Sequence, residues 1–377
     1  MNTSAEFFSA FPPVGKDEWL AQIAKDLKGK PLQDLYWHLN GDLTVDPFTH
    51  ADDFKTRPLP LFAQPRDWEI NEDIECAAVA DANKQALEAL NGGVESLYFS
   101  LPSPTGLDGL LAGVYPDLIS LHFGGTGLAE APALVLAELV RAAQDRKIPV
   151  ESMRGSLYYD PAAEAGNLHD WRYVVEMVQY ATAALPGFRC ITVDGRPAFA
   201  GKAAVPDELA ALVKHGMTYL DKLTARGLSP DEVAAQLQFS LYAGNSYFVE
   251  IARLRAFHLL WMNVLQGWGV APAYPILDVR FDPTVYTNDL YTNMIRATTM
   301  AMSAVLGGAN RLTVRPYDSG REAGAVYPQS FARRIARNVQ HLLKLESAFS
   351  AHPDPAAGSY YIEKLTEQFV NAAWAKF

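Results

Sequence analysis

The chain has 377 residues, 49% hydrophobic and 20% charged, which is enough apolar mass for one large barrel with an appendage or for two domains. Its net charge of −11 repels a phosphate backbone and argues against a nucleic-acid partner. Cys76 and Cys190 are too few for a disulfide scaffold, no apolar run reaches the roughly 18 residues of a membrane span, and the first residues lack the pattern of a secretory signal, so a reducing cytoplasm is expected.

Residues 1–80 read as an arm and linker. Phe11-Pro12-Pro13 and Pro58-Leu59-Pro60 are extended, proline-punctuated segments. Between them, 16–27 places Trp19, Ile23 and Leu27 at helical spacing before a stop at Lys28-Gly29. Phe7, Phe8, Phe11, Trp19, Tyr36 and Trp37 are many aromatics for an arm with little core of its own. Such an arm docks on its own domain, and a sharper reading has it also wrap a partner subunit.

From 81 to 377 a β-then-α rhythm appears. Short β-rich runs fall at 96–101, 118–123, 155–159, 190–194, 239–242, 275–280, 312–315 and 358–362. Helical patterns lie between them at 84–90, 129–144, 170–184, 208–225, 247–266, 290–306 and 330–349. About eight such units predict a parallel α/β sheet with crossover helices, and eight closes a (β/α)8 TIM barrel. The rival open doubly wound sheet usually shows an early Gly-rich nucleotide fingerprint, and none is evident.

Functional side chains of such a barrel come from the C-terminal strand ends. His122, Tyr159, Asp194, Arg196, Asn245, Arg280 and Tyr317 fall there and are the candidate cleft residues. Arg280 and Asp282 are expected to pair with each other or with neighbours. The loop Gly124–Gly127 could cradle a phosphate, although its spacing matches no P-loop and a tight strand-to-helix turn explains its glycines. His258, on an apolar helix, reads as a satisfied core histidine. No HExxH, GxSxG or Cys–His pairing is present. Leu97, Phe99 and Leu101, Ile119, Leu121 and Phe123, and Leu157 and Tyr159 form bulky alternate sets, which predict an apolar, filled interior without a channel.

Several segments, in order, resemble methylmalonyl-CoA mutase barrels. They are Trp19 to Gly29 with Leu35 to Trp37, Tyr247 to Trp261, Asp289 to Ala309, Ser330 to Ser347, and Asp354-Pro355-Ala356-Ala357-Gly358-Ser359-Tyr360-Tyr361-Ile362-Glu363. The resemblance runs from about residue 15 to the end. The arm and the Val193-Asp194 strand end are more similar to the small, non-catalytic subunit of the heterodimeric enzymes.

That resemblance implies radical isomerisation of methylmalonyl-CoA and succinyl-CoA, with adenosylcobalamin as the holoenzyme's cofactor, an acyl-CoA substrate and a large catalytic subunit as partner. Catalytic members run their fourth strand into Gly-Tyr-His, whose histidine bonds the thioester carbonyl. Here the stretch is Gly195-Arg196-Pro197, and proline offers no side-chain donor. Their sixth strand ends with His and Gln, whereas Ile276–Asp282 has neither. The cobalt-ligating Asp-x-His-x-x-Gly is also missing. A silent barrel that binds no cofactor alone is therefore expected, in a protein that continues past Phe377. The alternative is a catalytic barrel of a split acyl-CoA mutase with a separate cobalamin-binding subunit, and a weaker third reading is an unrelated barrel enzyme using the Gly124–Gly127 loop.

Overall fold

The computed structural model describes residues 11–39, 43–104, 106–163, 170–200, 203–319 and 328–377. Phe7 and Phe8 of the expected aromatic arm lie outside the described residues.

Eight parallel strands close on themselves. They are β1 (Glu69–Glu75), β2 (Ser96–Ser100), β3 (Ser120–Gly124), β4 (Arg154–Leu157), β5 (188–194, interrupted at Cys190), β6 (Leu237–Ala243), β7 (Leu277–Phe281) and β8 (Arg311–Thr313). Each pairs with the next, and β8 returns to β1 through Leu312 opposite Ile70. The TIM barrel read from the sequence is thus present, with two displacements.

First, the opening strand is Glu69–Glu75, inside the stretch read as arm. Second, the run at 358–362 is not a strand. Gly358, at φ +78°, turns the chain, and Tyr360 begins a helix. The strands read as fourth and sixth are therefore β5 and β7.

The helices follow the barrel rhythm: α1 (Lys16–Asp26) in the arm, then α2 (Val79–Asn91), α3 (Pro132–Asp145), α4 (Trp171–Ala184), α5 (Val205–Thr224), α6 (Tyr247–Gly267), α7 (Leu290–Leu306), α8 (Gln329–His341) and α9 (Tyr360–Trp374). Local chemistry sets their starts. Asp170 accepts from Tyr173 N–H at α4, and Asp289 accepts from Tyr291 and Thr292 N–H at α7. Helix α6 is buried along most of its length because it is covered twice, by the barrel within and by α9 without. Arg255 of α6 holds that outer layer through Asp354 and Glu363.

In the arm, Trp19 packs edge-on against Phe48 at 5.2 Å and Lys16 pairs with Asp53 and Asp46, while Phe11 and Trp37 stay exposed.

Alternation sorts the strand side chains onto two faces. Ile70 and Ile74, Leu97 and Phe99, Leu121 and Phe123, Phe239 and Leu241, and Leu277 and Val279 pack under the helices, all fully or nearly fully buried. The bulky sets expected to fill the interior are these, so that reading had the parity reversed. The inward face is polar instead: Asn71, Ser96, Ser120, Ser156, Thr192, Gln238, Ser240, Asp278, Arg311 and Thr313 are buried there.

Candidate functional site

The polar interior is cross-linked around one carboxylate. Asp278 of β7 is fully buried and accepts from Arg280 Nε and from Arg311 Nε of β8, both at 2.9 Å. Burial alone would raise its carboxyl pKa, but the two guanidinium charges outweigh burial and hold it well below the usual carboxylate range. Arg311 then spans the barrel. Its Nη1 donates to His122 Nε2 of β3 at 3.0 Å, and its Nη2 donates to the Tyr158 hydroxyl at 3.0 Å and to Gln238 Oε1 at 3.2 Å.

Since an arginine only donates, His122 Nε2 must accept and its Nδ1–H donates to Ser156 Oγ at 2.8 Å. That neutral tautomer agrees with the pKa, which burial and the Arg311 charge push down to about 4. Gln238 Nε2 donates to Ser156 and Thr192, and Ser240 donates to Asp278.

One layer above, Arg280 bridges Asp278 to Asp73 of β1 and lies 4.3 Å over the Tyr98 ring and 4.9 Å over the Tyr158 ring. The two rings meet edge-on at 4.7 Å, and burial pushes the Tyr98 hydroxyl up to about 12.

This plug divides the axis into two cavities. The upper one, of about 490 Å³, opens at the C-terminal strand ends between Asp73, Tyr98, Arg196, Tyr242, Arg280 and Arg315. The lower one, of about 440 Å³, opens at the strand starts between Glu69, Ser120, His122, Arg154, Arg189 and Arg311.

Of the sequence candidates, His122 and Arg280 join the plug through Arg311 and Asp278. Arg196 shares the upper cavity and grips Asp194 with two bonds, at 2.7 and 2.8 Å. The other three stand apart. Tyr159 is 1% exposed on the helix-facing side, since a shift of one residue along a strand changes face, and Tyr158 points inward instead. Asn245 is exposed in the turn after β6, and Tyr317 is buried with its carbonyl accepting from Asn293.

Arg280 does not pair with Asp282, which caps the following turn at Thr284. Sequence reasoning passed over Tyr98, Gln238, Asp278 and Arg311. The alternation Asp278-x-Arg280 on one face of β7 was the available signal.

The Gly124–Gly127 loop is built for close packing. Gly127 N–H is donated to Leu101 O at 2.9 Å, and a Cβ on Gly127 would come within 2.4 Å of Ser103 N. A Cβ on Gly124 would overlap the Tyr98 hydroxyl. The helix that follows is only Thr126–Glu130. His258 is fully buried on α6, with Nε2 3.1 Å from Gly308 O.

Residues 107–377 match the Methylmalonyl-CoA mutase family. The chain belongs to that family. It is 32% identical to the methylmalonyl-CoA mutase small subunit of Porphyromonas gingivalis over 99% of this chain and 63% of the relative. The small subunit of Streptomyces virginiae is also 32% identical, over 97% of this chain and 63% of its own length. The methylmalonyl-CoA mutase of Rhizobium meliloti is 27% identical over 95% of this chain and 56% of its own. The chain therefore spans under two thirds of the length of these relatives.

Among the described residues no imidazole lines the upper cavity. Among the described residues no helix is long and apolar enough to cross a membrane.

Proposed function

We propose that this chain is the catalytically silent barrel of the small subunit of an adenosylcobalamin-dependent methylmalonyl-CoA mutase. Its role is to stabilise a large catalytic subunit in the cytoplasm, and that subunit isomerises methylmalonyl-CoA and succinyl-CoA. The observation that carries this reading is the plug. A chain-like ligand passing along the axis would have to displace Arg311 and Arg280 from a fully buried carboxylate. Removing a partner from such a buried group costs about 3–5 kcal/mol.

The β5 end adds to it. Arg196 is tied to Asp194, and Pro197 has no donor for a thioester carbonyl. The test is turnover of the purified chain with adenosylcobalamin and methylmalonyl-CoA. None is expected, and robust turnover would reject silence.

A second reading rests on the small polar side chains Ser96, Ser120, Ser156, Thr192 and Ser240, which are what an axial ligand would need. Under it the barrel is the catalytic half of a split acyl-CoA mutase, and coenzyme A would raise the melting temperature.

A further inference from the structure

Between β6, α5 and α6 the apolar layer encloses two acids and one base. Arg253 of α6 is fully buried, and Glu208 of α5 and Glu250 of α6 are 2% and 3% exposed. Arg253 Nη1 donates to Glu208 Oε1 at 2.5 Å, while its Nε and Nη2 both donate to Glu250 Oε2, at 3.1 and 2.6 Å. Its Nη2 also donates to the Tyr242 carbonyl at the end of β6.

The elements packed around this cluster bring no second cation to it. In the turn after β5, the Phe199 ring lies 5.1 Å from the Arg253 guanidinium, and Arg196 is tied to Asp194. On α5, Asp207 pairs with Lys376, Lys214 donates to the Lys376 carbonyl and His215 faces Asp160. On α6, Arg255 turns to Asp354 and Glu363. Gly244 closes the loop after β6 on the cluster, and a Cβ there would come within 3.1 Å of Glu250 Oε1. Glu250 shares a cavity of about 240 Å³ with His38 of the arm and Phe369 of α9, and the His38 Nδ1 lies 3.2 Å from Thr44 Oγ1. Among the described residues, then, one guanidinium serves both carboxyl groups.

Two ionised carboxylates on one guanidinium leave a net negative charge in dry protein, which is costly. One proton removes it. A neutral carboxylic acid still accepts through its carbonyl oxygen, so Glu208 Oε1 keeps its bond from Arg253 with the proton on Oε2. The bonds also choose which acid is protonated. Glu250 takes two N–H groups of Arg253 and stays ionised, whereas Glu208 takes one.

We propose that Glu208 is a proton-binding site, a carboxylic acid held neutral in the barrel wall that empties as the medium turns alkaline. Burial, opposed by Arg253 and reinforced by Glu250, pushes its pKa up to about 7. An unfolded glutamate releases its proton near pH 4.3, at about the ordinary value. The stabilisation is therefore complete at acid pH and is lost as pH rises through about 7. The site is a pH-sensitive device beside the seat of the arm, and it is independent of whether the axis binds a ligand.

Urea midpoints of the wild-type chain and of Glu208→Gln across this range are the test. An amide mimics the protonated acid. The folding constant of Glu208→Gln relative to wild type should therefore rise with pH, by up to about tenfold per pH unit between about pH 5 and 7, and level off above. NMR of carboxyl-labelled glutamate should show one resonance titrating near pH 7, absent from Glu208→Gln. In Glu250→Gln that resonance should move to the ordinary carboxylate range, because Glu208 is then the sole anion on Arg253. A relative stability of Glu208→Gln that stays flat or falls with pH, as an ordinary ion pair demands, would overturn the proposal. So would a wild-type chain in which no glutamate titrates near neutral pH, a result that stands even if the variants do not fold.

Discussion

The barrel carries two cores built on opposite principles, one on each face of the same eight strands. Between strands and helices, Phe99, Phe123, Phe239 and Phe257 pack as an apolar layer, with Phe239 edge-on to Phe257 at 4.8 Å and to Trp261 at 4.7 Å. Inside the barrel, Asp278, Arg280, Arg311 and His122 fill the same kind of dry space with paired charge. The outer layer is non-directional and tolerates repacking. The inner one stands only while every partner is present, because a charge left alone in low dielectric is expensive.

The largest effects should come from breaking either core with one residue. Asp278→Ala leaves two guanidiniums facing each other and should cost about 3–5 kcal/mol. Phe239→Ala should cost a similar 3–5 kcal/mol by opening a cavity. Denaturant melts at two salt concentrations separate them, since the Asp278 variant should respond to added anion and the Phe239 variant should not. Gly155→Ala belongs to the same class, because its Cβ would sit 1.8 Å from Leu121 O; soluble expression and a melt check it.

Acid sharpens the comparison. Burial and Arg311 lower the folded pKa of His122 to about 4, so as pH falls the unfolded chain takes up the proton first. The stabilisation is complete above the ordinary histidine pKa of about 6.5 and is lost between there and about 4, a change of up to roughly 3 kcal/mol. His258, in the outer layer, behaves alike, its pKa pushed down to about 3 by burial. His122→Asn should flatten the fall in stability between pH 6.5 and 4, as followed by urea midpoints. An unchanged slope would mean that His122 is not held neutral.

Surface pairs should matter least. Arg172 and Glu176 are 3.1 Å apart but mostly exposed, so Arg172→Ala should shift stability by less than about 0.5 kcal/mol in the same melts.

The barrel was legible because the β-then-α rhythm between 96 and 315 is real and leaves few closures. The count of eight held only because the missed strand Glu69–Glu75 offsets the false run at 358–362, and the face assignments were not legible. Leu97 and Phe99 read as interior because a strand buried on both sides has no solvent face to fix the parity. Strand β1 was hidden for a related reason. Its seven residues include Glu69, Glu72, Asp73 and Glu75, and the cations that neutralise the first three, Arg311, Arg337 and Arg280, come from far along the chain. Tyr360-Tyr361-Ile362 has strand-like side chains, yet Gly358 and the packing of Ile362 against Ile251 make it the first turn of α9. Arg196 and Arg280 could be placed at the mouth from strand ends alone, whereas the contact of Arg311 with His122 joins strands that are not neighbours and exists only once the barrel closes.

Calorimetric titration of the purified chain with coenzyme A addresses the sealed axis most directly. No heat of binding and no change in melting temperature are expected. Saturable binding, with the thiol arm reaching from the lower cavity into the upper one, would contradict the account.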